Sequence, residues 1–381
     1  MRDRIPLDPG RVLITPEDGT AAFYAVMTRA DNPTQEGTPL NKASLLTDET
    51  EAALFGSAAD RTVNQAFHFI AGKLALISGN LAEIDLTVVT ASGNPVANMP
   101  IAGTFDADGN TLVTDASGKA TGYVSEGTVT LSISGYADIQ NYSETLEVSK
   151  GQSYEKTIKL TVINFLKITS SKSVKFSPNV SQVDVTVVGG GGAGGTGSGT
   201  YGAGGGGGGY CTVQEAVEFT PGVLYSAVIG AGGTGYDAHD PKTGGDGGAS
   251  SFMGITANGG KGGTGGFSSS NAGGAGNGAG GATARSGTAG SVLGYSSFTE
   301  TVRYGGGGGG AVARNYSGGA AGGADFGATG GGDGDGASAE NGTGGGGGGG
   351  GGEIVDGDTS YGDGGNGGSG CVAIRMHPVA A

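Results

Sequence analysis

Fourteen of the 87 glycines in this 381-residue chain precede Gly189, and the remaining 73 fall in the last 193 residues. In stretches such as GGGGAGGTGSGTYGAGGGGGGY (189–210) almost no side chains are left to bury, pair or react. Glycine loses more conformational entropy on folding than any other residue, so apolar burial cannot order such a segment. Two outcomes remain: a flexible linker, or a structure held by the backbone itself. Thirteen aromatic residues interrupt the region and strand-like runs bracket it, and a linker needs neither.

The tracts also carry a local period. GGTGG, GGDGG, GGKGG, GGAGG and GGNGGSG place one variable residue after each pair of glycines. Three residues per turn is the period of the polyproline II helix, whose backbone groups are open to neighbours. Without Cβ atoms such helices can lie close enough to hydrogen-bond side by side, with the variable residue at a rim. Thr264, Asp246 and Asn366 are rim positions of this kind. Collagen shares the period but needs strict Gly-X-Y and abundant proline; only Pro221, Pro241 and Pro378 follow Gly189, and the register slips.

The first half of the chain has ordinary composition. Five of the eleven prolines lie in the first 40 residues, which predicts an extended arm with one or two strands, such as RVLIT and AFYAVM. NKASLLTDETEAALFG (41–56) reads as a short helix or helical hairpin. Val63, Phe67, Ile70, Leu74, Ile77, Leu81 and Ile84 are spaced 4, 3, 4, 3, 4, 3, the seam of a coiled coil. Leucine at a with isoleucine at d favours three or four strands, and three is the expectation. Gly72 and Gly79 fall at the outward f position, and the same spacing also fits an amphipathic helix docked on its own domain. From Ile84 to about Val162, seven runs of period two, from IDLTVVT to YEKTIKLTV, alternate with turns such as SGNP, DADGN and DASGK, the pattern of a small β-sandwich. The turns lack the remaining ligands of a calcium loop. Beyond them, GYCTVQEAVEF, GVLYSAVIGAGG, GASSFMGITANGG and GCVAIRMHP are expected to pair as a sheet, with Cys211 and Cys371 buried and reduced.

Several chemistries are absent. With 35 acidic and 20 basic residues the net charge is −15 and no basic run occurs, which argues against nucleic acid. No apolar run reaches the length of a membrane span, and MRDRIPLDPG lacks a secretory core. GxGxxG recurs only because glycine is everywhere, and no helix can follow it. His68, His239 and His377 are too scattered for a metal set or a triad. Asp333, Asp335, Asp356, Asp358 and Asp363 read as solvated loop acids rather than a glycosidase pair. The expectation is no enzyme, no cofactor and no metal.

DRIPLDPGRVLITPEDG, followed by MTRADNPTQEGTPLNKASLLTDETEAALFG, resembles the N-terminal module of tail fibre proteins from phages and prophages of Gram-positive bacteria. The resemblance covers about the first 70 residues and implies docking to a tail baseplate. SGNPVANMPI, TDASGKATG and GTVTLSISG, within Leu86 to Thr161, are similar to carboxypeptidase-regulatory-like and other Ig-like modules. GGGGGGYCTV, VIGAGGTG, GGDGGASSF and GGSGCVAIRM resemble the glycine-rich tips of some phage adhesins and the glycine-rich module of certain receptor tyrosine kinases, which implies packed polyglycine II helices.

The fold class expected is mainly β and multidomain. Residues 1–60 form an attachment module, 61–84 a trimeric coiled coil, 85–161 an Ig-like spacer, and 162–381 a glycine-rich β-sandwich head with packed polyglycine II helices. The function expected is a homotrimeric tail-fibre adhesin of a phage or phage-tail-like particle. It would be assembled in the host cytoplasm, bound to baseplate proteins, and act outside the cell on a surface glycan or protein. A purely structural tail component and a bacterial surface adhesin are the alternatives. Receptor contacts are expected from Tyr236, His239, Phe267, Tyr295, Phe298, Tyr316, Phe326 and Tyr361, the large side chains on loops that interrupt the glycine tracts.

Overall fold

The computed structural model describes residues 11–14, 23–26, 46–55, 62–77, 79–105, 109–199, 201–237, 240–267, 271–276, 280, 295–296, 303–311, 322, 326–332, 334–355 and 358–379. The chain is mainly β and divides into two units, Met1–Phe67 and His68–Ala381.

In the first unit β1 (Arg11–Ile14) pairs antiparallel with β2 (Phe23–Val26). The helix α1 (Asp48–Phe55) starts at Thr47, whose hydroxyl accepts the Thr50 N–H at 3.3 Å. The helix α2 (Val63–Ile77) opens with a reciprocal cap: Thr62 N–H donates to Gln65 Oε1 (2.7 Å), and Gln65 N–H donates to Thr62 Oγ1 (3.2 Å).

The seam read from the sequence does not stay on that helix. α2 ends at Ile77, Leu81 lies in the bend that follows, and Ile84 is fully buried in β3 (Ala82–Thr90). Ile84 belongs instead to the period-two series Ile84, Leu86, Val88 that faces the sandwich core. Gly72, expected to point outward, is buried: a β-carbon there would lie 1.9 Å from the Tyr123 ring. Phe67, Ile70 and Leu74 are exposed, at 62%, 39% and 63%.

Seven strands then form two sheets. β3 lies between β6 (Lys119–Val124), antiparallel, and β9 (Ser153–Leu160), parallel. β4 (Pro100–Phe105), β5 (Gly109–Val113), β7 (Gly127–Ile133) and β8 (Tyr142–Val148) form the other sheet, in the order β5-β4-β7-β8. Ile84, Leu86, Met99, Ile101, Leu131, Ile133 and Ile158 fill the space between them. DASGK is a turn: Asp115 Oδ1 accepts from Ser117 N–H and Lys119 N–H at 2.9 Å, and Gly118 holds φ +75°. DADGN falls mostly outside the described residues.

The head has a four-stranded sheet, β10 (Phe165–Ile168), β21 (Cys371–Pro378), β12 (Val180–Val188) and β13 (Cys211–Val217), in that order. Small two-stranded sheets pair β11 (Lys172–Val174) with β14 (Tyr225–Ala227), and β15 (Ser250–Phe252) with β16 (Ile255–Ala257). Beyond these lie the pairs β17 (Tyr295–Ser296) with β18 (Arg303–Tyr304), and β19 (Gly352–Val355) with β20 (Asp358–Tyr361). The four runs expected to share one sheet are therefore split: YCTV and CVAIRMHP join the larger sheet, GVLYSAVIGAGG supplies β14, which pairs with β11, and GASSFMGITANGG folds on itself as the β15–β16 hairpin. Phe176, Phe252, Val183, Val185, Val187, Val372 and Ile374 make the core beneath.

Backbone bonds and one buried acid join sandwich to head. Ala137 N–H donates to Lys175 O (2.8 Å) and Ile163 N–H to Asp138 O (2.7 Å). Asp138, with no exposed surface, accepts the Ser177 N–H at 2.8 Å and the Ser177 hydroxyl.

Candidate functional site

The glycine tracts start where β12 ends, at Val188. In the first of them, N–H groups at 190, 193 and 196 donate to carbonyls at 248, 245 and 242, all at 2.9–3.0 Å. Those at 191, 194 and 197 donate to 368, 365 and 362, and those at 189, 192 and 195 to 210, 207 and 204, all at 2.8–3.0 Å. Its carbonyls at 190, 193 and 196 accept from 260, 263 and 266, those at 192 and 195 from 347 and 350, and that at 191 from 233. Three neighbours accept from this tract and three donate to it, so residues 189–197 are buried on every side. Backbone bonding here replaces the apolar core that glycine cannot build.

The bonding partner rotates every three residues, and this explains where side chains are allowed. Added β-carbons at Gly191, Gly194 and Gly197 would stand 1.9–2.0 Å from the carbonyl oxygens of Gly345, Gly348 and Gly351. None of the described glycines of 189–210 has a left-handed φ; lack of space is what demands glycine there. Residues 344–352, another buried tract, are glycine throughout. Tracts with an open side carry a residue at every third position: Asn258, Lys261, Thr264 and Phe267 in one, Asp363, Asn366 and Ser369 in another. Side chains of neighbouring tracts cap the lattice at such rims. Asp335 Oδ1, Ser338 Oγ and Asn341 Oδ1 accept the N–H groups of Asp363, Asn366 and Ser369 at 2.8–3.1 Å. Asp246 Oδ1 accepts the Gly262 N–H (2.9 Å) while its Oδ2 holds Lys261 Nζ (2.6 Å), which lowers the Asp246 pKa.

The direction of each tract sets two ends. Val188, Cys211 and Cys371 mark the end at the sheet, where both cysteines pair with Val188 from either side. At the other end lie residues 197, 201, 242, 266 and 362, joined by Gly197 N–H to Gly362 O, Gly266 N–H to Thr196 O and Thr196 N–H to Lys242 O. Three expected contact residues reach this distal end: Tyr236, whose carbonyl accepts the Gly364 N–H, Phe267, and Tyr361, which precedes Gly362. Their exposures are 42%, 60% and 39%. Lys242 Nζ stands 5.8 Å from the Tyr236 ring centroid. The Thr196 hydroxyl donates to Asp240 O (3.0 Å) and accepts the Lys242 N–H (2.7 Å), pinning the loop that carries this lysine. The hairpin β19–β20 leaves from the same end through the Gly352–Tyr361 pair.

The remaining expected residues are not gathered there. Phe326 stacks on buried Tyr304 at 5.7 Å, against Val188 and Cys371, and so belongs to the base of the lattice. The backbone of Tyr295 pairs with Tyr304 in β17–β18. His239, Phe298 and Tyr316 lie outside the described residues. The sequence reading missed Lys242 and half-buried Tyr201, whose turn to Ser198 closes the distal end. Only the pairing of tracts far apart in the chain puts them there.

Other charged groups are structural in their geometry. Asp184 on β12 accepts from Arg375 Nε (2.8 Å), His377 Nε2 (2.6 Å) and the N–H of Ala216 (2.9 Å), a residue at φ +54°. Burial pushes the Asp184 pKa up, but the Ala216 N–H, His377 and Arg375 together outweigh it and lower the value. Among the described residues no three His, Cys, Asp or Glu side chains gather as a metal site. Among the described residues the distal end thus offers exposed rings, the Lys242 cation and polar rim groups, a set suited to non-covalent recognition.

The family described as a glycine-rich domain matches residues 168–377. No curated protein matches the chain. Among solved structures, a DUF3823 family protein from Parabacteroides merdae ATCC 43184 is similar at 10% identity and TM-score 0.20, over 40% of this chain and 90% of that one. A DUF3823 family protein from Bacteroides ovatus ATCC 8483 is similar at 10% identity and TM-score 0.19, over 48% and 96%.

Proposed function

The chain belongs to the glycine-rich domain family, and from that premise we propose that it is an adhesin whose glycine-rich head binds a bacterial surface. The observation that carries this reading is the gathering of exposed Tyr236, Phe267 and Tyr361 at the end of the lattice farthest from the sheet. The lattice is a polyglycine II array in this reading, supported by its three-residue bonding rotation. Such an array holds contact groups rigidly, so little ordering entropy is lost on binding. Aromatic faces stack on sugar or peptide, and Lys242 with the rim amides supplies polar contacts.

The chain acts as a homotrimeric tail fibre of a phage or phage-tail-like particle. Residues 1–60 dock to the baseplate, the Ig-like sandwich spaces the head, and the exposed Phe67, Ile70 and Leu74 of α2 form a coiled-coil seam shorter than the one read from the sequence. Three heads multiply weak contacts through avidity.

The test is adhesion of the labelled chain to a panel of Gram-positive cells, with Tyr236→Ala, Phe267→Ala and Tyr361→Ala combined. Adhesion lost in a folded triple variant supports the reading. A wild-type chain that binds no cell in the panel, yet is found on purified particles, favours a purely structural tail component.

A further inference from the structure

A cleft of about 750 Å³ lies where the seven-stranded sandwich meets the head. That size suits a small organic ligand, since such sites span roughly 300–1,000 Å³. The cleft is walled by the turn after β3, by the segment joining the modules, and by the start of β12 and the end of β21. Among the described residues its lining contains no charged side chain. Asn94, Asn98, Asn164 and Asn179 line it together with hydroxyls and with proline and alanine carbons.

Asn179 points to a ligand by its own chemistry. It is 7% exposed, and its Nδ2 is buried with no hydrogen-bond partner, whereas its main chain is paired: Asn179 N–H donates to Ser177 Oγ (3.1 Å) and Asn179 O accepts the Val379 N–H (2.7 Å). A buried amide donor without a partner is costly, and a turn of this side chain toward the cleft that Asn179 lines would give the donor an acceptor on a ligand there. The Asp138–Ser177 joint two residues earlier holds this segment in place. An adjoining hollow shares Asn98 and Pro178 and adds the ring of Tyr136, which Lys175 Nζ covers at 4.5 Å.

We propose that this cleft binds a neutral saccharide. Carboxamides both donate and accept, and so pair with sugar hydroxyls; the uncharged lining and a chain of net charge −15 give an anionic ligand nothing to hold it. The site is separate from the distal end of the lattice and does not depend on the adhesin reading.

The experiment is saturation-transfer NMR on the full chain. The probes are glucose, galactose, N-acetylglucosamine, N-acetylgalactosamine and their dimers, with a neutral proline-rich peptide alongside. At least one sugar binds, and Asn179→Leu weakens it about tenfold, the loss of one good hydrogen bond. Ala116→Trp, at an exposed turn position on the cleft wall, removes the signal in a chain whose fold it leaves unchanged. The combined alanine variant of Tyr236, Phe267 and Tyr361 keeps it. No signal from any sugar, binding of the peptide alone, an unchanged signal in Ala116→Trp, or its loss in the distal variant each overturns the proposal.

Discussion

Gly347 and Gly365 face each other across two glycine tracts so closely that a β-carbon on Gly347 would stand 2.0 Å from the Gly365 carbonyl oxygen. The Gly347 N–H is already committed to Gly192 O at 2.9 Å, on a third tract. A methyl here has to push two chains apart and break bonds that no water can replace.

Gly347→Ala is therefore expected to destabilise the head by the loss of at least one buried backbone bond, about 1–3 kcal/mol for each orphaned group. Gly334→Ala is the control, because a β-carbon at that exposed position meets nothing within 4 Å. Denaturant melts of both variants check this; equal midpoints would mean that the tracts are not packed. Amide exchange across 189–210 gives a second reading, and fast exchange throughout would sink the lattice outright.

Asp184 and Asp138 predict opposite pH slopes. The folded pKa of Asp184 lies below its ordinary 3.8, so the unfolded chain takes the proton first. Its contribution is present above that value and lost as pH falls through the lower folded pKa. Burial raises Asp138 above 3.8, so its contribution is present below 3.8 and lost as pH rises through its folded pKa. Asp184→Asn should flatten the fall in stability between about pH 5 and 2, while Asp138→Asn should steepen it. Unfolding midpoints measured across that range decide; the same change of slope in both variants would contradict the assignment.

Burial, with a smaller effect from Cys371, pushes the Cys211 thiol up to about 12, and Cys371 has no exposed surface. No disulfide joins them. Since only the thiolate reacts, a polar alkylating agent at pH 7.5 should leave both unlabelled in the native chain and modify both in denaturant. Mass spectrometry reads the outcome, and rapid native labelling of Cys371 would place it outside the core.

The exposed face of α2 makes a prediction about assembly. If Phe67, Ile70 and Leu74 form the seam, the full chain scatters light as a trimer, and Ile70→Asp with Leu74→Asp reduces it to a monomer whose β-sheet circular dichroism is unchanged. A wild-type chain that is monomeric at micromolar concentration removes the coiled coil from the account.

Some features were legible because they are properties of consecutive residues. Alternation along Ile84, Leu86 and Val88 marks a strand with one buried face wherever it occurs. Glycine triplets likewise state that two of three registers allow no side chain. A local period, however, cannot say where one element yields to the next: the 3.5-residue spacing ran on through Leu81 to Ile84, although the chain had already turned into β3. Gly72 looked like an outward position until Tyr123, 51 residues later, was found to occupy the space a side chain would need. Threading was the least legible of all. Phe326 sits at the base of the lattice, while Tyr236, Phe267 and Tyr361 sit at its far end, because of which tracts run parallel and which antiparallel. One glycine N–H is the same as another, so nothing in a tract encodes its neighbour. The strands that feed the tracts, and the rim side chains that cap them, settle that arrangement only in three dimensions.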